Sequence, residues 1–392
     1  MLPKGELIKI SDKVETISPF IVMDVLEKAK EMERKGERII HLEIGEPDFD
    51  TPEPIKRAAA EALEEGLTHY THSQGLLELR EEISHYYYKT YGVQVDPDRI
   101  IVTSGTSPAM LLVLSAVINP GDEVLLTDPY YSCYPNFIKY VGGKPITIKV
   151  FEEEGFRLSI NEVKRHMGPK TRALIINSPS NPTGVIMPPK DLEALAELPV
   201  AIVSDEIYHG LTYGEKARSM LEFSSKAIII NGFSKLFAMT GWRLGYAIVP
   251  PELVRPIRSM QQNLFICAAS FVQKAGIAAL KYCGEHVEKM RREYDRRRKF
   301  ILEKIKETGL KVASSPTGAF YILANARDYS MDSYNLAFDI LEKVGVAVTP
   351  GIDFGPNAEG YLRISYANSI ENIAEGMERL KRYFHAAAEA CS

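Results

Sequence analysis

Five short polar clusters carry the side chains able to do chemistry, and four of them directly follow a run of apolar, mostly β-branched residues. Ser104-Gly105-Thr106-Ser107-Pro108 follows Ile100–Thr103 and opens a helical pattern. Small residues and hydroxyls at a helix start offer free backbone N–H groups and the positive end of the helix dipole, which suits an anion such as phosphate. The same residues also serve as plain N-caps. Asn177-Ser178-Pro179-Ser180-Asn181-Pro182-Thr183-Gly184 is a rigid polar loop, either a ligand contact or an ordinary turn. Val203-Ser204-Asp205-Glu206-Ile207-Tyr208 sets Asp205 directly after an apolar run, where a carboxylate needs a cationic partner to stay ionised. Asn231-Gly232-Phe233-Ser234-Lys235 places a lysine after another such run. Met239-Thr240-Gly241-Trp242-Arg243 adds a second cation and the only tryptophan. Asp205 and Lys235 are therefore either a structural ion pair or an acid and an amine sharing one site.

Other chemistries lack their signatures. No two of the 27 glycines lie two residues apart, so the dinucleotide pattern GxGxxG cannot occur. GxxxxGKS/T and HExxH are missing, and the hydrolase elbow GxSxG fails at Ala109. His69 and His72 stand in a polar stretch and read as solvated side chains, so no metal is expected. Cys133, Cys267, Cys283 and Cys391 form no CxxC pair and no disulfide framework. With 47 Lys+Arg against 52 Asp+Glu the net charge is −5, which offers nucleic acid no basic footprint. The longest apolar stretch, Ala109–Ile118, is interrupted by Ser115 and is shorter than the ~20 residues of a membrane helix. Met1-Leu2-Pro3-Lys4-Gly5-Glu6 lacks the apolar region of a signal peptide. A cytoplasmic enzyme is the expectation.

The elements that must position these clusters are legible as alternation. Seven apolar runs read as strands: Ile100–Thr103, Val124–Thr127, Ile146–Val150, Ala173–Asn177, Ala201–Ser204, Ile228–Asn231 and Gly245–Val249. Helical patterns such as Pro108–Ile118 and Pro189–Leu198 lie between them. Strands apolar on both faces, alternating with helices, predict an α/β fold with a mostly parallel sheet covered on both sides. Ligands of such sheets bind outside the carboxyl ends of the strands, where the polar clusters fall. Glu285–Thr308 reads as one long charged helix, with Val287, Met290, Tyr294, Ile301 and Ile305 at helical spacing and Gly309 as its C-cap. Arg296-Arg297-Arg298 within it reads as a solvated face. Smaller alternating pieces follow, including Ala319–Leu323 and Tyr361–Tyr366. The expected division is a large α/β domain over 50–285 and a smaller α+β domain combining 1–49 with 286–392.

The stretch Asn231–Tyr246, NGFSKLFAMTGWRLGY, resembles the cofactor-lysine signature of class I/II aminotransferases, which are pyridoxal 5′-phosphate (PLP) enzymes of fold type I. Gly45-Glu46-Pro47-Asp48-Phe49 resembles the family's GEPDF, and Tyr70 with Gly75 and Glu78-Leu79-Arg80 its Y-x-x-x-x-G-x-x-E-L-R segment. Asn181-Pro182-Thr183-Gly184 matches NPTG, Asp205-Glu206-Ile207-Tyr208 matches DE-x-Y, and Arg363-Ile364-Ser365-Tyr366 is similar to the family's Arg-led C-terminal motif. Together the motifs run in order from Gly45 to Tyr366. The resemblance implies that Lys235 forms the Schiff base with PLP and shuttles protons. Asp205 would pair with the pyridine nitrogen, Tyr208 and Asn181 with the ring oxygen, and Tyr131 would stack on the ring. The phosphate would sit on Gly105, Thr106 and Ser107 with Ser234 and Arg243. Arg363, helped by Asn181 and Gly45, would clamp the substrate carboxylate. A tyrosine matching Tyr70 serves the phosphate of the other subunit in this family, which implies a homodimer with shared active sites.

The implied activity is amino transfer from an L-amino acid to a 2-oxo acid, 2-oxoglutarate being the expected acceptor, by a ping-pong mechanism. A PLP-dependent β-lyase shares every one of these residues and is the alternative. A regulator built on the same fold carries an N-terminal DNA-binding extension, for which Gly45 lies too early. Two departures stand out. Gly232 carries no hydroxyl where some relatives have Ser, and no lysine lies between Thr103 and Lys139, where some aspartate-specific relatives have one. Phe20, Tyr70 and Tyr131 would suit an aromatic donor or be mere packing.

Overall fold

Residues 10–391 are described by a computed structural model of the chain; Met1–Glu6, read above for a leader, and the outermost ends of the expected smaller domain lie outside them. The strands are β1 (Ile40–His41), β2 (Ile100–Thr103), β3 (Glu123–Asp128), β4 (Lys144–Lys149), β5 (Thr171–Asn177), β6 (Ala201–Asp205), β7 (Ile228–Gly232), β8 (Gly245–Ile248), β9 (Tyr321–Asn325), β10 (Val346–Ala347), β11 (Thr349–Pro350) and β12 (Tyr361–Ser365). The seven expected runs are β2 to β8, and they form one seven-stranded sheet in the order β2-β8-β7-β6-β5-β3-β4. Its strands are parallel except β8, which runs antiparallel to both β2 and β7.

Strand periodicity explains why the runs are apolar throughout. Ile100, Val102, Leu125, Leu174, Ile176, Ile202 and Ile229 belong to one buried cluster; Ile101, Val124, Leu126, Ile175, Val203 and Ile230 belong to another. Alternate residues point to opposite faces, and helices cover both. Polarity is left for the strand ends, where a side chain leaves the sheet. β2, β3, β5, β6 and β7 all end at one edge, and the reversed β8 begins there. A residue just before β8 therefore joins residues just after its neighbours, which is how Arg243 comes to lie beside the turn after β2.

Two smaller sheets complete the frame: antiparallel β11-β12-β9, and parallel β1-β10, which ties residue 40 to residue 346. The run Ala319–Leu323 begins to pair only at Tyr321, because Ala319 has φ of 56°, outside the extended region. The charged helix spans Gly284–Lys304 and ends through a 3₁₀ turn, Ile305–Thr308, at Gly309 with φ of 85°. The solvated-face reading of the triple arginine fails at Arg297. Three consecutive helical residues cover most of a turn, and Arg297 falls in line with the buried Met290, Tyr294 and Ile301. It is 7% exposed, bonds both carboxylate oxygens of Asp48 at 2.8 Å, and lies 5.2 Å from the Phe49 ring centroid. No helix among the described residues is long and apolar enough to cross a membrane.

Candidate active site

A cleft of about 400 Å³ opens over the edge where β2, β5, β6 and β7 end. Lys235 stands three residues beyond β7, and its Nζ donates to the Gly45 carbonyl at 2.5 Å. Burial pushes this amine down to about 8; Glu46 and Asp205 oppose the fall, and Arg363 and Arg243 add to it.

Asp205 ends β6, the strand beside β7, and faces the cleft. Its Oδ2 accepts from the Tyr134 hydroxyl at 2.6 Å and its Oδ1 from the Ile207 N–H at 3.2 Å. Burial lifts the carboxyl to about 6, while those two donors and Lys235 pull it back, so it is mostly ionised at neutral pH. Strand alternation turns the next residue, Glu206, away from the cleft. There its Oε1 accepts from the Met220 N–H and from the Ser219 and Ser204 hydroxyls, and burial lifts it to about 8. Of two adjacent buried carboxyls, only Asp205 carries charge into the site.

Arg363 comes from β12 and is 2% exposed. Its Nη1 donates to Asn181 Oδ1 at 3.0 Å, and its Nη2 to the Glu43 carbonyl at 2.5 Å and Thr349 Oγ1 at 3.1 Å. The guanidinium packs against two rings, 4.5 Å from the Tyr321 centroid and 4.8 Å from that of Phe354. Nε has no hydrogen-bond partner among the described residues. Tyr321 in turn shares a 2.8 Å hydrogen bond with the Tyr208 hydroxyl. Asn181 is set by its own N–H, which donates to Asn177 Oδ1 at 2.8 Å.

At the other end of the cleft, Thr106 and Ser107 begin the helix Thr106–Val117 beside Ser234 and Arg243. Gly105 has φ of 98°, and a Cβ there would run into the Arg243 guanidinium. Gly245 lets β8 pass the same turn, since a Cβ on it would lie 2.6 Å from the Gly105 carbonyl carbon and 2.7 Å from the Thr106 nitrogen. The missing hydroxyl at Gly232 has a steric counterpart: a Cβ there would meet the Leu244 carbonyl oxygen at 2.9 Å.

Gly45, Thr106, Ser107, Tyr131, Asn181, Asp205, Tyr208, Ser234, Lys235, Arg243 and Arg363 thus line one cleft. Gly105 supports it from behind. Tyr70 is not brought there and is 81% exposed. Tyr134 and Tyr321 were missed by sequence reasoning. Tyr134 stands three residues after Tyr131 at a helix start, and Tyr321 follows Phe320 in an apolar run, so both read as core. The only available signal was Tyr134's one-turn offset from a residue already placed at the site. Phe20, Val22, Met23 and Leu26 line the cleft from the segment that opens the helix Ile21–Arg34. That helix is capped from outside, its Ile21 N–H donating to Asp353 Oδ1 at 3.0 Å.

Known proteins resemble this chain over nearly its whole length. The family described as Aminotransferase class I and II matches residues 37–380. A (5-formylfuran-3-yl)methyl phosphate transaminase of Methanocaldococcus jannaschii is 44% identical, covering 96% of this chain and 100% of its own. Aromatic-amino-acid aminotransferase 2 of Thermococcus litoralis is 40% identical over 95% of this chain and 97% of its own. Among solved structures, aspartate aminotransferase from Thermus thermophilus with maleate superposes with a TM-score of 0.92 at 38% identity, covering 96% of this chain and 100% of that one.

Proposed function

The chain belongs to the class I and II aminotransferases, with their fold type I architecture, and on that premise we propose that its cleft holds pyridoxal 5′-phosphate on Lys235 and moves amino groups in two half-reactions, from an L-amino acid and then to a 2-oxo acid such as 2-oxoglutarate. The observation that carries this reading is the donor set: an amine, a buried carboxylate, a helix start with an arginine beside it, and a second, caged arginine, all on one cleft.

The residues fit the group. Thr106, Ser107, Ser234 and Arg243 would hold its phosphate, and Gly105 and Gly245 give the backbone room to form that cradle. Asp205, ionised above about pH 6, would keep a ring nitrogen protonated. Tyr208 and Asn181 would donate to the ring oxygen, and Tyr131 would cover a ring face. When bound, the cofactor supplies a carbonyl carbon for the amine and a ring that takes up the electron pair left at the substrate Cα.

The chain's own residues do the rest. Lys235 Nζ is partly neutral near pH 7 because burial lowers its affinity for a proton, so it can act as nucleophile and then carry a proton between neighbouring carbons. Arg363 orients the substrate carboxylate, its plane fixed by Tyr321 and Phe354. The cofactor residues fall in the proposed large unit (50–285) and Arg363 in the smaller one (1–49 and 286–392). Tyr70 of the partner subunit would reach the phosphate, giving a homodimer with shared sites.

The test is borohydride reduction of the yellow protein followed by peptide mapping. The phosphopyridoxyl mass should fall on the peptide containing Ser234-Lys235, and any other lysine would discard the assignment. A panel of amino acids with 2-oxoglutarate, read as glutamate formed against ammonia released, then separates transfer from elimination.

A further inference from the structure

Tyr321 is fully buried, yet its hydroxyl does not serve the core. It meets the Tyr208 hydroxyl at 2.8 Å, while the face of its ring lies 4.5 Å from the Arg363 guanidinium. Gly45 lets it stand there, since a Cβ on Gly45 would fall 2.5 Å from the Tyr321 hydroxyl. The carbonyl of the same Gly45 accepts from Lys235. One side chain on β9 therefore touches Tyr208, Arg363 and Gly45, the last being the acceptor of Lys235.

We propose that Tyr321 is a positioning residue that ties the carboxylate clamp, Arg363, to Tyr208, the donor to the cofactor's ring oxygen; this rests on the roles given to Lys235, Tyr208 and Arg363 above. A phenol has a single O–H. When Tyr208 directs its hydrogen to the ring oxygen, the Tyr208 oxygen must accept, and the Tyr321 hydroxyl is placed to donate to it. A donor in series polarises the next one and strengthens its bond. The Tyr321 ring meanwhile holds Arg363 by a cation–π contact, with Phe354 packed on the same guanidinium, and Arg363 Nε is left without a partner among the described residues. The titratable and charged groups facing this pair are Arg363, Glu46, Tyr131 and Tyr134.

The test compares holoenzymes of wild type, Tyr321→Phe, Tyr321→Leu and Tyr208→Phe. Tyr321→Phe keeps the ring and removes the donor. Its kcat should fall about 3–10-fold, the effect of one neutral hydrogen bond, with KM within about 3-fold. The pH midpoint of its resting visible absorption should move toward that of Tyr208→Phe. The double Phe variant should move it no further than Tyr208→Phe alone. Tyr321→Leu should in addition raise KM for amino and oxo acids roughly 3–30-fold, because Arg363 loses a face. Tyr321→Phe with wild-type midpoint and kcat overturns the proposal, and so does a variant changed only in melting temperature. If Tyr321→Leu does not fold, Tyr321→Phe and the double variant decide. Wild-type protein without a visible band, or labelled away from Lys235, brings down the underlying reading as well, so the two failures are distinguishable.

Discussion

Asp205 and Glu206 are consecutive buried carboxyls, and the structure gives them opposite characters. Asp205 is lifted only to about 6 and feels the charge of Lys235 across the cleft; Glu206 is lifted to about 8 and meets hydroxyls and an amide. Asp205→Asn should therefore fold and keep the cofactor while losing at least ~10² in kcat, the scale of a key electrostatic group. Glu206→Gln replaces a neutral acid with a neutral amide of the same shape, so at pH 7 activity should stay within about 3-fold, with a matching melting temperature. A large loss in the second variant would mean that Glu206 is ionised. Lys235 supplies a further outcome with a defined sign. Its proton affinity is lowered from 10.5 to about 8, so the neutral, attacking form grows as pH rises through 8. Stopped-flow capture of pyridoxal phosphate by the apo-protein should accelerate up to that pH and then level off. Asp205 and Lys235 stood out in the sequence because a charge just after an apolar run needs a partner, whereas Arg363, inside a strand, was reached only through the family motif. Tyr134 and Tyr321 did not stand out, because a buried tyrosine looks the same whether its hydroxyl serves a site or fills space.

Among the elements, the reversed strand β8 has the greatest effect on the site. It brings Arg243 to the edge where the other strands end, and its first residue, Gly245, packs against the turn Gly105-Thr106. Gly245→Ala would push a methyl into backbone, where neither side is a flexible side chain that can move away. The apo-protein should lose about 1–3 kcal/mol of stability, and affinity for pyridoxal phosphate should fall with it, measured by melting and by equilibrium dialysis. Unchanged affinity would show that the cradle does not depend on this approach. The seven strands were readable as runs because both sheet faces are buried and the turns between them are polar. The direction of β8 was not, since periodicity says where a strand lies and nothing about which way it points. The inward turn of Arg297 was hidden for a related reason: charge alone suggests water, and its partner Asp48 lies 249 residues away.

At the scale of the whole molecule, Tyr70 stands 81% exposed and outside its own chain's cleft. In the proposed homodimer it completes the neighbouring site, which yields a complementation test. Tyr70→Ala is expected to be impaired and Lys235→Ala to be inactive. Verified heterodimers of the two should regain one working site, because an intact Lys235 then receives Tyr70 of the partner subunit. Heterodimers no better than Tyr70→Ala alone would mean that Tyr70 serves its own subunit or none. The clamp has its own long-range character, since the bond from Arg363 to the Glu43 carbonyl closes across 320 positions. Every residue proposed for the cofactor lies at or before Arg243, whereas the arginine of the clamp comes only at Arg363. On the ribosome, a growing chain thus holds every residue proposed for the cofactor about 120 residues before it has the arginine proposed to grip an amino acid.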